Sequence, residues 1–139
     1  MGEGAKEGGG PMSYYFNKTI SAPFDEAVDR VKAELKKEGF GVLTEIDVRK
    51  TLHDKLGVDF RPYRILGACH PSFAYKALQA EDKIGTMLPC NVIVQELEPG
   101  RAEVAAIDPL ASMAAVHNIE LGTIGLEVRE RLQRAVGAL

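Results

Sequence analysis

The stretch MLPCNVIVQELEPGRAEVAAI, residues 87–107, decides the fold. Met87 to Leu97 and Arg101 to Ile107 are both rich in β-branched and aliphatic residues. Between them lies Glu98-Pro99-Gly100, and a Pro-Gly pair between two strand-like runs signals a hairpin. Two strands joined by so short a turn run antiparallel, because a parallel pair needs a long crossover.

Working outward, the rest of the chain alternates strand and helix patterns. Tyr14 to Ile20 reads as a first strand. A helix follows Pro23, with Asp25 and Glu26 at its positive end, Lys36 and Lys37 at its negative end, and Gly39 as a left-handed stop. Phe24, Ala27, Val28, Val31 and Leu35 form its apolar face, and Glu26 and Arg30 pair at i, i+4 on the other side. Phe40 to Ile46 predicts a second strand with Phe40, Val42, Thr44 and Ile46 on one face. Asp47 caps a short helix whose Val48, Leu52 and Leu56 share a face and which ends at Gly57. Arg64 to Cys69 reads as a third strand, and His70-Pro71 opens a helix with Phe73, Ala77 and Leu78 inward. Asp108-Pro109 is an N-cap followed by proline at the first helical position. Leu121, Ile124, Val128 and Leu132 then give a closing amphipathic helix. The expected fold class is α+β: two layers, a mostly antiparallel sheet of about five strands, and helices packed on one of its faces.

Composition narrows the function. The chain has 139 residues, 45% apolar and 27% charged, with a formal charge of −3. That length suits one domain. The acidic balance opposes a general nucleic-acid binder, which would show a basic excess. No run approaches the roughly 18 apolar residues of a membrane span, and two cysteines are too few for a disulfide scaffold. A cytoplasmic location is therefore the expectation, with neither nucleic acid nor membrane as partner. Residues 1–11, MGEGAKEGGGP, have the Gly-rich composition of a flexible leader or tag remnant, leaving 12–139 as a single α+β domain.

Chemistry concentrates between residues 66 and 94. Cys69 directly precedes His70-Pro71 and a helix start, where unpaired N–H groups favour a thiolate. Cys90 heads an apolar strand. Both cysteines read first as small buried hydrophobes, with reactive chemistry the lesser reading. If the strands are neighbours, Cys69 and Cys90 would form a redox pair, one thiol resolving the other's sulfenic acid. Cys69, His70 and Cys90, with Met87, are also soft enough for zinc or copper, though a 21-residue spacing matches no zinc knuckle. Arg61 and Arg64, beside Tyr63, are the best anion contacts, and with His70 they are the ligand-binding candidates. His53 reads as solvated, Asn118 after His117 as an N-cap, and Glu45, Asp47, Glu81 and Asp82 as solvated charge. No glycine-rich phosphate loop follows a strand, and no serine sits in a nucleophile elbow.

The strings LGACHPSFAYKAL (66–78) and IGTMLPCNVIV (84–94), with EGFGVLTEIDV (38–48) and AIDP (106–109), resemble the "domain of unknown function 302" family over about residues 13–138. The resemblance implies a small α+β domain, dimeric, of bacteria or archaea. It implies no reaction, ligand or catalytic residue. The combined expectation is a non-enzymatic homodimer serving as a small-ligand or interaction module, with no cofactor named. A thiol redox protein and a soft-metal site are the alternatives.

Overall fold

A computed structural model describes residues 13–139 of the chain. The leader expected at 1–11 lies outside the described residues. Five antiparallel strands, β1 (Tyr15–Ile20), β2 (Gly41–Asp47), β3 (Tyr63–Cys69), β4 (Cys90–Glu98) and β5 (Arg101–Ile107), form one sheet in the order β1-β5-β4-β3-β2. The β4–β5 hairpin turns at Gly100, whose φ of +82° suits a residue without Cβ. Helices α1 (Phe24–Lys37), α2 (Val48–Leu56), α3 (Pro71–Ala80), α4 (Pro109–Ser112) and α5 (Ile119–Gly137) complete the chain, with a 3-10 turn at Asp82–Met87. No helix among the described residues is long and apolar enough to cross a membrane.

α1 and α5 lie on one face of the sheet. Strand alternation sends Phe16, Leu66, Val92, Val94 and Val104 into that layer, where they meet Val28, Val31 and Leu35 of α1 and Val128 and Leu132 of α5, all buried. Each such side chain contributes roughly 1.5–3 kcal/mol by leaving water. A second small cluster, Ala77, Ile84 and Leu121, ties α3 and the 3-10 turn to α5, and half-buried Met87 packs against it.

The termini follow the local chemistry. Asp108 accepts from the Leu110 N–H, and Asn118 accepts from Glu120 and Leu121, so both cap as expected. Asn118 also donates to the Ala80 carbonyl, fastening α3 to the start of α5.

Three expectations need correction. β4 begins at Cys90, not Met87, because Met87 ends the 3-10 turn and Pro89 has no N–H for the ladder. α2 buries no residue; Leu56 is 69% exposed, since this helix spans the β2–β3 edge rather than covering the core. In β2, Phe40, Val42, Thr44 and Ile46 do not share a face. Val42 pairs with Ala68 but Thr44 pairs with the very next residue, Gly67, so Leu43 is an extra residue, a β-bulge. Beyond it the alternation inverts. Thr44 and Ile46 turn to the uncovered face, while Glu45 and Asp47 turn to the helix side.

Glu45 is exposed, as expected, but the inversion gives it partners on the helix side. Lys32 of α1 lies 2.7 Å from it, and Arg64 of β3 pairs with it as well. The Lys32 and Arg64 hydrogen bonds hold its carboxyl below the usual carboxylate range. Asp82 stays a surface charge beside Lys83.

Candidate functional site

β3 ends at Cys69, β4 begins at Cys90, and α3 starts at Pro71, so all three candidate residues of the 66–94 stretch arrive at one end of the sheet. There, between the sheet and helices α3 and α5, lies a cavity of about 290 Å3 lined by Cys69, His70 and Cys90. Phe40, Phe73, Ile124, Val128 and bulge residue Leu43 supply much of the remaining wall, which is almost wholly apolar.

His70 is set by its neighbours. It occupies the N-cap of α3 but makes no side-chain cap bond. Its ring meets Phe40 edge-on at 5.5 Å and Phe73 at 4.5 Å between centroids. Burial, followed by the nearby Arg131 cation, lowers its pKa from the ordinary 6.5, so the neutral ring is favoured. Its Nδ1 is buried with no hydrogen-bond partner. Arg131 reaches over Phe73 at 5.4 Å and donates to the Glu38 carbonyl at the end of α1.

The cysteines are both free. Cys90 is 8% exposed, and burial, then Cys69, pushes its thiol up to about 11. Register places Cys90 opposite Ala68, one residue out of phase with Cys69. Both nonetheless line the same cavity, near enough for Cys69 to act on the Cys90 thiol, and the two stay unbonded. Among the described residues no three His, Cys, Asp or Glu side chains are grouped to hold a metal ion. Met87 belongs to the second apolar cluster.

The arginines do not join this site. Arg61 donates to Gln95 Oε1 at 2.7 Å and stacks on Phe60 at 4.4 Å. Arg64 is taken up by Glu45 and Asp47 on the helix side. His53 is solvated beside Asp54.

Phe40, Phe73, Ile124 and Val128 line the cavity, yet in sequence they read only as core positions of strand and helix. Within the 66–78 segment the available signal was Phe73, three residues after His70 and so within reach of its ring. A second group also escaped notice: Asn17, Gln95 and Glu103 meet on the face of the sheet opposite α1 and α5, where Asn17 Nδ2 and Gln95 Nε2 donate to the Glu103 carboxylate at 2.6 and 2.8 Å. The alternation of Gln95 with buried Val94, and of Glu103 with buried Val104, marked that second face.

The model of the "Domain of unknown function DUF302" matches residues 16–139. No curated protein matches the chain. Among solved structures, the chain is similar to one described as "uncharacterized conserved protein DUF302 from Bacillus stearothermophilus", with 29% identity over 89% of this chain and 96% of that one, and a TM-score of 0.82. The family model spans both the strand-end cavity and the sheet that builds it, and the chain belongs to the DUF302 family.

Proposed function

We propose that this chain is a binding module for a small, uncharged, mainly apolar molecule held in the cavity at the Cys69–His70–Cys90 end of the sheet. One observation carries the reading: an almost wholly apolar cavity of about 290 Å3 has, among the buried side chains of its described lining, one unpartnered polar atom, His70 Nδ1. Ligand sites combine apolar walls with a few polar groups that fix orientation. A neutral imidazole flanked by Phe40 and Phe73, with no carboxylate orienting it, supports binding over acid–base turnover.

Thermal melts with indole, benzyl alcohol and n-hexanol test this. At least one is expected to raise Tm in a concentration-dependent way. Ala74→Phe, which fills the cavity from α3, is expected to abolish the response while the protein stays folded. No shift with any of the three, or an equal shift in Ala74→Phe, would remove the reading.

Self-association belongs to the same proposal, with a second copy of the chain as partner. β2 is an edge strand, and Leu43 and Ile46 on it are 69% and 47% exposed. A long edge with outward apolar side chains is a pairing template. Sedimentation should give twice the 15.1 kDa chain mass, and Ile46→Lys should halve it. A 15.1 kDa species at every concentration would leave only the ligand-binding half.

A further inference from the structure

The face of the sheet opposite α1 and α5 carries its own cavity, of about 370 Å3, unrelated to the cysteine end. Its floor is Ile93 and Ala105, which pair across β4 and β5. At one end the register aligns Tyr63, Gln95 and Glu103 across three strands. At the other, Ile107 pairs with Tyr15, whose ring meets Tyr14 at 5.1 Å. Four residues separate Glu103 from Ile107, so the trough is roughly 13 Å long.

Glu103 is the only carboxylate lining this cavity among the described residues. Its oxygens accept from Asn17 and Gln95, both neutral amides, and it forms no ion pair with a described residue. A carboxylate offers about four acceptor positions, so two are left. Gln95 cannot turn its oxygen toward Glu103, because that oxygen accepts from Arg61. Arg61 itself does not line the cavity; its guanidinium stacks on Phe60 at 4.4 Å and lies over the ring of Tyr63 at 5.7 Å, bounding the trough at that end.

Asn17 supplies an independent observation. It is 3% exposed, and donation to Glu103 leaves its Oδ1 buried without a partner. The reverse amide orientation would set oxygen against carboxylate. Asn17 lies outside the lining itself but pairs with Ala105 on the cavity floor, and its amide touches the Glu103 carboxylate. A buried acceptor left empty carries a cost that a donor removes. Both vacant groups are acceptors, and one bears negative charge.

We propose that this face binds a small primary amine with an apolar body: the ammonium donates to Glu103 and Asn17 Oδ1, and the body lies along Ala105 and Ile93 toward Tyr15. An ammonium has three donors and matches two adjacent acceptors. The aromatic end of the trough, at Tyr14 and Tyr15, suits an aryl or alkyl tail. An anion would be repelled by Glu103, the one charged side chain among the described lining residues.

Isothermal titration with phenethylamine, and with 2-phenylethanol as its neutral isostere, tests the assignment. The amine is expected to bind at least roughly tenfold tighter than the alcohol, and Glu103→Gln to remove that advantage while the alcohol's affinity stays unchanged. Ala105→Phe, which fills the floor and leaves Glu103 in place, is expected to abolish binding of both. Ala74→Phe at the other cavity should change neither, which separates this site from the ligand module above. Equal affinity for amine and alcohol, no binding of phenethylamine or hexylamine, or full affinity in Ala105→Phe would each overturn it. Should Glu103→Gln fail to fold, the amine-to-alcohol ratio and Ala105→Phe still decide.

Discussion

The imidazole of His70 rests on the bare Cα of Gly39: a Cβ built on Gly39 would lie 2.5 Å from Nε2 and 2.9 Å from Cδ2. One residue thus serves two purposes. With φ at +91° it stops α1, and by lacking a side chain it makes room for the ring that lines the cavity. The end of the first helix and the geometry of the site are the same feature.

Gly39→Ala should therefore be costly twice over. A left-handed conformation costs an L-residue roughly 1–2 kcal/mol, and His70 must also leave its place between Phe40 and Phe73. We expect a total loss of about 2–4 kcal/mol by urea unfolding. His70→Ala in the same background should return the clash component but not the backbone component. Simple additivity of the two substitutions would show that the ring and Gly39 are not coupled.

His70 also sets an acid-side dependence. Its pKa is lowered in the folded state, chiefly by burial, so the unfolded chain takes up this proton first. Stability from this source is present above the ordinary value of 6.5 and is lost as pH falls through 6.5 toward the lower folded value. His70→Phe keeps an aromatic ring and cannot titrate. The drop in unfolding free energy between pH 8 and pH 5 should be smaller in the variant than in the parent, and parallel curves would refute the assignment.

On the alkaline side the relevant group is Cys90. Folding raises its thiol from 9.0 to about 11, so the unfolded chain loses the proton first. Its contribution is intact below pH 9 and declines between 9 and about 11. The full effect is on the order of 2–3 kcal/mol, given 1.36 kcal/mol for each pH unit. Because lysines and tyrosines titrate in the same window, the readout is the difference between parent and Cys90→Ala, which should narrow as pH rises. The same burial predicts that native Cys90 resists thiol reagents until denaturant is added.

How much of this was legible in the sequence depends on whether the cause was local. Every signal at the ends of α1, α4 and α5 lies within a few residues of the end it marks, and Asp25, Lys37, Asp108 and Asn118 stand where the sequence puts them. The hairpin was readable because Pro99-Gly100 sits between two strand-like runs. Leu43 was not, since Phe40, Val42, Thr44 and Ile46 alternate without a break and a bulge is created by the partner strand. The cysteine segment was recognised as a meeting point, but the chemistry there follows from tertiary surroundings. Phe40 arrives from the residue just before β2, Phe73 from α3 and Val128 from α5, and together they turn a nominal ligand set into an apolar cavity. The Asn17–Glu103 contact spans 86 residues, and no local pattern announces it.

The bulge yields the last prediction. Leu43 is the extra residue between Val42, opposite Ala68, and Thr44, opposite Gly67. Deleting it would straighten β2 without turning any other side chain over: Val42 stays on the helix side, Thr44 stays beside Gly67, and Glu45 keeps Lys32 and Arg64. Because Leu43 is 69% exposed, the deletion forfeits little burial. We expect a folded protein within about 2 kcal/mol of the parent. Deleting Glu45 instead would shift Ile46 and Asp47 by one residue and put each on the wrong face, so it should cost clearly more. Yet Leu43 walls the cavity, and bulges concentrate where a strand must re-aim a side chain near a site. The Leu43 deletion should thus keep the fold and weaken the Tm response to cavity ligands. If instead it unfolds the domain as readily as the Glu45 deletion does, the bulge is needed for folding the sheet and not for shaping the cavity.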